Sequence, residues 1–112
     1  MDYIHYKDLL QQFKDTQKQI EAQYSFEHVD LYEKTIHHDI LNLGYRIRKD
    51  KEEFHVYLRY LHLDQERLLP FTPIWTCRWI SSNSIQKRGY DTLLEALLSI
   101  QAIEIMDEQS LS

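Results

Sequence analysis

The chain has 112 residues, 43% of them apolar or aromatic, enough for one domain with its own core. Its formal net charge is −5 and its pI about 5.6, so bulk electrostatics disfavour unselective binding to DNA, RNA or anionic lipid. Two glycines, Gly44 and Gly89, stand too far apart in sequence to share a phosphate-cradling loop, which needs several glycines for close backbone approach to the ligand.

The charge is unevenly distributed. Residues 1–43 hold four Lys/Arg and eight Asp/Glu, residues 44–90 nine and five, and residues 91–112 none and five. A basic middle is thus flanked by acidic segments. The single cysteine, Cys77, excludes an intrachain disulfide and favours a reducing compartment. It sits in an apolar run, where a buried, inert thiol is expected. No apolar run approaches the ~20 residues that span a bilayer. The start, Met1-Asp2-Tyr3-Ile4-His5-Tyr6-Lys7, lacks the pattern of a secretory signal. The expected location is cytoplasmic, with no membrane contact.

The spacing of Tyr3, Tyr6, Leu10, Phe13, Gln17, Ile20 and Tyr24 predicts a helix over 2–24. Its stripe suits packing on a sheet of the same chain. It also suits a short coiled coil with Gln17 as a polar core position, and hence a homodimer through helix 2–24. Ser25 reads as an N-cap for a second helix over 26–43, with Val29, Tyr32, Ile36, Ile40 and Leu43 on one face and Gly44 as its stop. Tyr32, Thr35 and Ile36 equally suit a strand.

Residues 45–49 and 53–61 read as a hairpin around the polar turn Lys49-Asp50-Lys51-Glu52. Phe54, Val56, Leu58 and Tyr60 form its core face; His55, Tyr57, Arg59 and Leu61 point the other way. Residues 62–73, with Pro70 and Pro73, read as a loop. A third strand over 74–80 alternates Trp75, Cys77 and Trp79 against Ile74, Thr76, Arg78 and Ile80. Ser81-Ser82-Asn83-Ser84 reads as a turn, and Ile85 to Tyr90 as a short edge strand. Asp91 or Thr92 reads as the cap of a last helix over 91–105, and Thr92-Leu93-Leu94-Glu95 fits a capping box. The expected fold class is therefore α+β: a single domain over 1–106 of order α-α-β-β-β-α, with helices packed on a small antiparallel sheet and a frayed acidic tail at 107–112.

Sites of defined chemistry are weakly signalled. His37, His38 and Asp39, with His28 upstream, and His55 and His62 in the sheet region, offer no i, i+4 histidine pair, so no metal is expected. Cys77 with His55 or His62 is a conceivable thiol–imidazole pair, but a strand face shared with two Trp argues for core. Glu52 and Glu53 are adjacent in a turn and diverge. No catalytic residue and no cofactor is expected.

The polar sheet face is the better candidate. His55, Tyr57 and Arg59 are expected beside Thr76 and Arg78, with Arg46, Arg48, Lys87 and Arg88 at the margins. Tyr and Arg are residue types enriched in binding hot spots, so His55, Tyr57, Arg59 and Arg78 are the expected partner contacts. The expected function is that of a small non-enzymatic protein that binds another protein. A regulator, an inhibitor or an immunity-type protein, including one carried by a phage or other mobile element, all fit. The acidic helices form a second candidate surface. The alternative is a single-stranded nucleic-acid-binding module, because aromatic and Arg side chains on an open sheet can stack bases and hold phosphates.

Overall fold

The computed structural model describes residues 3–80 and 85–111, with side chains along the last helix described as far as Ile103. The expected turn at 81–84 lies outside the described residues, as do the side chains of the expected tail at 107–112.

A two-residue strand, β1 (Ile4–His5), leads into α1 (Tyr6–Gln23). Leu9, Phe13 and Ile20 repeat at helical spacing and are buried. The remaining chain is sheet up to the last helix: β2 (His28–Ile36), β3 (Ile40–Lys49), β4 (Glu52–His62), β5 (Arg67–Ile80) and β6 (Ile85–Tyr90), then α2 (Leu93–Leu111). The observed order is β-α-β-β-β-β-β-α. The expected α-α-β-β-β-α order is wrong, and the structure is mostly sheet: a curled antiparallel half-barrel with two helices.

The largest correction is the helix expected over 26–43, which is β2, a turn and the start of β3. Its apparent stripe is split by the pleat. Val29 and Leu43 lie on one sheet face, Tyr32, Ile36 and Ile40 on the other. Because apolar residues occur on both faces, the period-two signal is blurred. The turn also lacks a glycine signature: His37 and His38 both take positive φ, 53° and 68°. No helix follows Ser25, so it is not an N-cap. Gly44 is not a helix stop either, since it sits mid-strand opposite Tyr57.

The second correction concerns residues 62–73. The chain turns at Leu63–Glu66 and then enters β5, which contains both prolines. β5 pairs with β1 at Arg67 and Leu68, and with β6 from Trp75 to Ile80. Pro70 and Pro73 fall in the gap between these pairings, where a missing N–H costs no bond on that edge. The register against β4 also shifts here, β5 carrying extra residues between Thr76 and Pro70 opposite Tyr57 to Tyr60.

The sheet order is β1-β5-β4-β3-β2, with β6 also on β5. Both helices cover one face. There Leu41, Leu43, Tyr45 and Ile47 of β3 meet Phe54, Val56 and Tyr60 of β4, and Cys77 of β5. Full burial of each such aliphatic or aromatic side chain contributes about 1.5–3 kcal/mol. Phe13 of α1 stacks on Tyr45, whose hydroxyl donates to the Phe13 carbonyl at 2.9 Å. Gln17 Nε2 donates to the Val29 carbonyl at 2.7 Å, and so ties α1 to the outer strand β2. Thr92 caps α2 as expected, its Oγ1 accepting from the Glu95 N–H at 3.1 Å. Buried Lys49 donates to the Ile100 and Gln101 carbonyls at 3.3 and 2.9 Å, which holds α2 against the end of β3.

Candidate partner-binding face

Among the described residues, no helix covers the opposite sheet face. Alternation along the strands brings residues there into rows that cross the sheet. One row reads Tyr32, Gly44, Tyr57, Thr76, Gly89, the next Asp30, Arg46, His55, Arg78, Lys87. Lys34, Asn42 and Arg59 lie on one side of these rows, and Arg48 and Glu53 on the other.

Gly44 organises the centre. A Cβ built on it would lie 1.9 Å from the Val56 carbonyl oxygen and 2.5 Å from the Tyr57 Cα, so β3 and β4 are pressed together here. The absent side chain leaves room over which Tyr32 and Tyr57 approach, their ring centroids 5.6 Å apart. Tyr32 also stacks on His55 at 4.5 Å. These contacts bury Tyr57 to 1% exposure, Tyr32 to 7% and His55 to 9% without any helix above them.

The expected contacts His55, Tyr57, Arg59 and Arg78 are therefore brought to one face, with Tyr57 opposite Thr76 and His55 opposite Arg78. They are not equally available. Tyr57 and His55 are buried, whereas Arg59 and Arg78 are half-buried and Arg46 and Lys87 exposed. Arg88, expected at the margin, is instead on the helix-covered side. It pairs with Cys77 and lines a cleft with Trp79, Ser99 and Ile103. Tyr32 and Asn42 were missed because the helix expected over 26–43 hid their strand alternation.

Electrostatically the face is lopsided. Lys34, Arg46, Arg48, Arg59, Arg78 and Lys87 outnumber Asp30 and Glu53. Among the described residues, none of these six cations makes an ion pair. Glu53 is engaged instead by His55, whose Nε2 lies 2.8 Å from its Oε2. Burial pushes the His55 pKa below the ordinary value, with Arg46 and Arg78 adding to that effect and Glu53 opposing it. Among the described residues, the buried side-chain polar atoms with no hydrogen-bond partner are Asn42 Oδ1, His55 Nδ1 and Arg59 Nε, all on this face.

Elsewhere the chemistry is sparse. Cys77 is buried on the helix-covered face, across the sheet from His55, so the two cannot form a thiol–imidazole pair. Burial pushes its thiol up to about 11. Glu52 and Glu53 diverge: Glu52 accepts from Trp79 Nε1 at 3.2 Å on the helix side. His38 and His62 meet Tyr6, Glu33 and Asp64 around an open cleft of about 580 Å³. Among the described residues, no group of three or more His, Cys, Asp or Glu is placed to hold a metal ion. Nor is any helix among them long and apolar enough to cross a membrane.

The molecule is thus a curled antiparallel sheet with helices on one face and a cation-rich, uncovered second face. Residues 3–100 match a family of unknown function, DUF5634, and the chain belongs to that family. The match takes in α1 and all the strands, and ends within α2. No curated protein matches the chain.

Proposed function

We propose that this is a non-enzymatic binding protein, a regulator or inhibitor, that receives an acidic surface of a partner protein on its uncovered sheet face. The observation that carries this reading is the excess of cations there, six against two acids, none of the six in an ion pair among the described residues. Unpaired like charges on one face repel each other, and an anionic partner relieves that repulsion. The stripe on α1 that a homodimer would use lies against the chain's own sheet instead, with Gln17 bound to Val29. A protein partner is favoured over single-stranded nucleic acid because base stacking needs accessible rings, and Tyr32 and Tyr57 are covered. The lone, buried Cys77 is consistent with work in a reducing compartment.

The test is co-purification from host lysate with and without nuclease, comparing the parent chain with an Arg46→Glu/Arg78→Glu variant. The reading expects a protein that survives nuclease and is lost with the charge reversal. Retention of that protein by the variant refutes the face. Recovery that disappears with nuclease transfers the reading to nucleic acid.

A further inference from the structure

Within that face the geometry points to a particular subsite: we infer that Arg46, His55 and Arg78 together hold a single carboxylate of the partner, with a proton taken up on His55. This rests on the uncovered face being the binding surface, and goes further in naming the group bound and its coupling to pH.

The three residues are register neighbours on β3, β4 and β5, so Arg46 and Arg78 stand one strand to either side of His55. Adjacent strands lie ~4.8 Å apart, and two guanidinium arms from such positions can converge above the central residue. His55 Nε2 faces the Glu53 carboxylate at 2.8 Å, which makes Nε2 the N–H donor. In neutral His55, Nδ1 is then an acceptor. It is shut off from water and nothing donates to it. A buried polar atom left this way is costly. Protonation turns Nδ1 into a donor, and an anion seated between the two arginines favours that protonation through its charge, without reaching the covered atom itself.

Every charged neighbour of His55 bears on this. Glu53 on β4 favours the imidazolium, and Arg46 on β3 and Arg78 on β5 oppose it. Asp30 on β2 and Lys87 on β6 end the same row, and the Tyr32 ring of β2 lies over the imidazole. With the site empty, burial, aided by the two arginines, favours the neutral form of His55. A bound carboxylate cancels the arginine charges and lets Glu53 prevail. A carboxylate is favoured over a phosphate strand because the tyrosine rings in these rows, Tyr32 and Tyr57, are covered and cannot stack a base.

The experiment titrates a capped tetraglutamate peptide into the full chain at pH 5.5 and pH 7.5 by calorimetry, with the His55 ring followed by NMR and assigned with His55→Gln. Inorganic phosphate and an oligouridylate are titrated in parallel. The expected result is peptide affinity about tenfold higher at the lower pH, the size of one charge-assisted hydrogen bond. Arg46→Gln and Arg78→Gln each weaken it about tenfold by the same measure. Lys14→Gln, which removes one exposed cation from α1, leaves it unchanged. Thermal midpoints establish that the variants are folded, and the exposed Arg46 makes its variant the safest of them. Peptide affinity that is equal at the two pH values and indifferent to His55→Gln overturns the subsite but not the face. Absence of peptide binding overturns the subsite; only partner retention by the Arg46→Glu/Arg78→Glu variant refutes the face as well. Tighter binding of phosphate or oligouridylate with the same His55 response overturns the carboxylate assignment.

Discussion

Gly44→Ala should be among the most damaging single-atom additions this chain can receive. The φ of Gly44 is not positive, so its backbone suits any residue, and alanine would ordinarily gain up to ~1 kcal/mol by restricting the unfolded chain. Space decides otherwise. The new Cβ would sit 1.9 Å from the Val56 oxygen, 2.5 Å from the Tyr57 Cα and 2.8 Å from the Val56 carbonyl carbon. All three atoms are backbone, so no side-chain rotation relieves the clash, and β3 must part from β4 by more than an ångström. Loss of about two ladder hydrogen bonds, at ~1 kcal/mol each, adds to an overpacking cost of about 1–3 kcal/mol. The sum is roughly 3–5 kcal/mol, a large share of the roughly 6–17 kcal/mol expected for a chain of this length. Gly89→Ala is the matched control. Its Cβ would meet only the Ile74 Cγ2, a side-chain atom beside the edge strand β6, at 2.8 Å, and should cost less than about 1 kcal/mol. Urea unfolding read by Trp75 and Trp79 fluorescence gives both values. A Gly44→Ala protein as stable as the parent, or a Gly89→Ala protein equally damaged, would refute the close approach of β3 and β4.

Tyr45→Phe removes the hydroxyl that donates to the Phe13 carbonyl and should cost about 1 kcal/mol, measured as a lower urea midpoint at unchanged slope. Thr92→Ala deletes the cap on Glu95 and should cost about 0.5–2 kcal/mol, with Thr92→Ser restoring most of it in the same assay. Stability should fall in strong alkali. The Cys77 thiol is pushed up to about 11 and the Tyr6 and Tyr60 phenols to about 12, in each case chiefly by burial, and Tyr45 is raised as well. The unfolded chain releases these protons first, so their contribution is intact below about pH 9 and lost as pH rises through 11 to 12. His55 works on the acid side. Its folded pKa is depressed, so the unfolded chain binds that proton first, and stability should decline as pH falls below about 6.5. His55→Gln should flatten that decline in a series of thermal midpoints, and an unchanged slope would contradict it.

Where a pattern repeats within one element, residue order alone was decisive. Phe13 and Ile20 mark α1, Thr92 opens α2, and Phe54, Val56 and Tyr60 alternate inward along β4. The gathering of His55, Tyr57, Arg59 and Arg78 on one side of the sheet was legible for the same reason, since alternation is local. What depended on partners distant in sequence was not. β2 passes for a helix because both of its faces carry apolar residues and its turn is made by His37 and His38 in a conformation usually left to Gly or Asn. The prolines of β5 read as a loop because only the assembled sheet shows a gap between β1 and β6 where they fit. Exposure was likewise a tertiary outcome. Tyr57 looks like an accessible strand-face aromatic until Gly44 draws Tyr32 over it, and Arg46 becomes central only once β3 lies between β2 and β4. Which residues alternate and which helix face is apolar can be read from residue order, because those patterns repeat within a few residues. Which sheet face the helices cover, which cations make no ion pair and which polar atoms are left without a partner follow from strands meeting across tens of residues of chain, and so emerge only on folding.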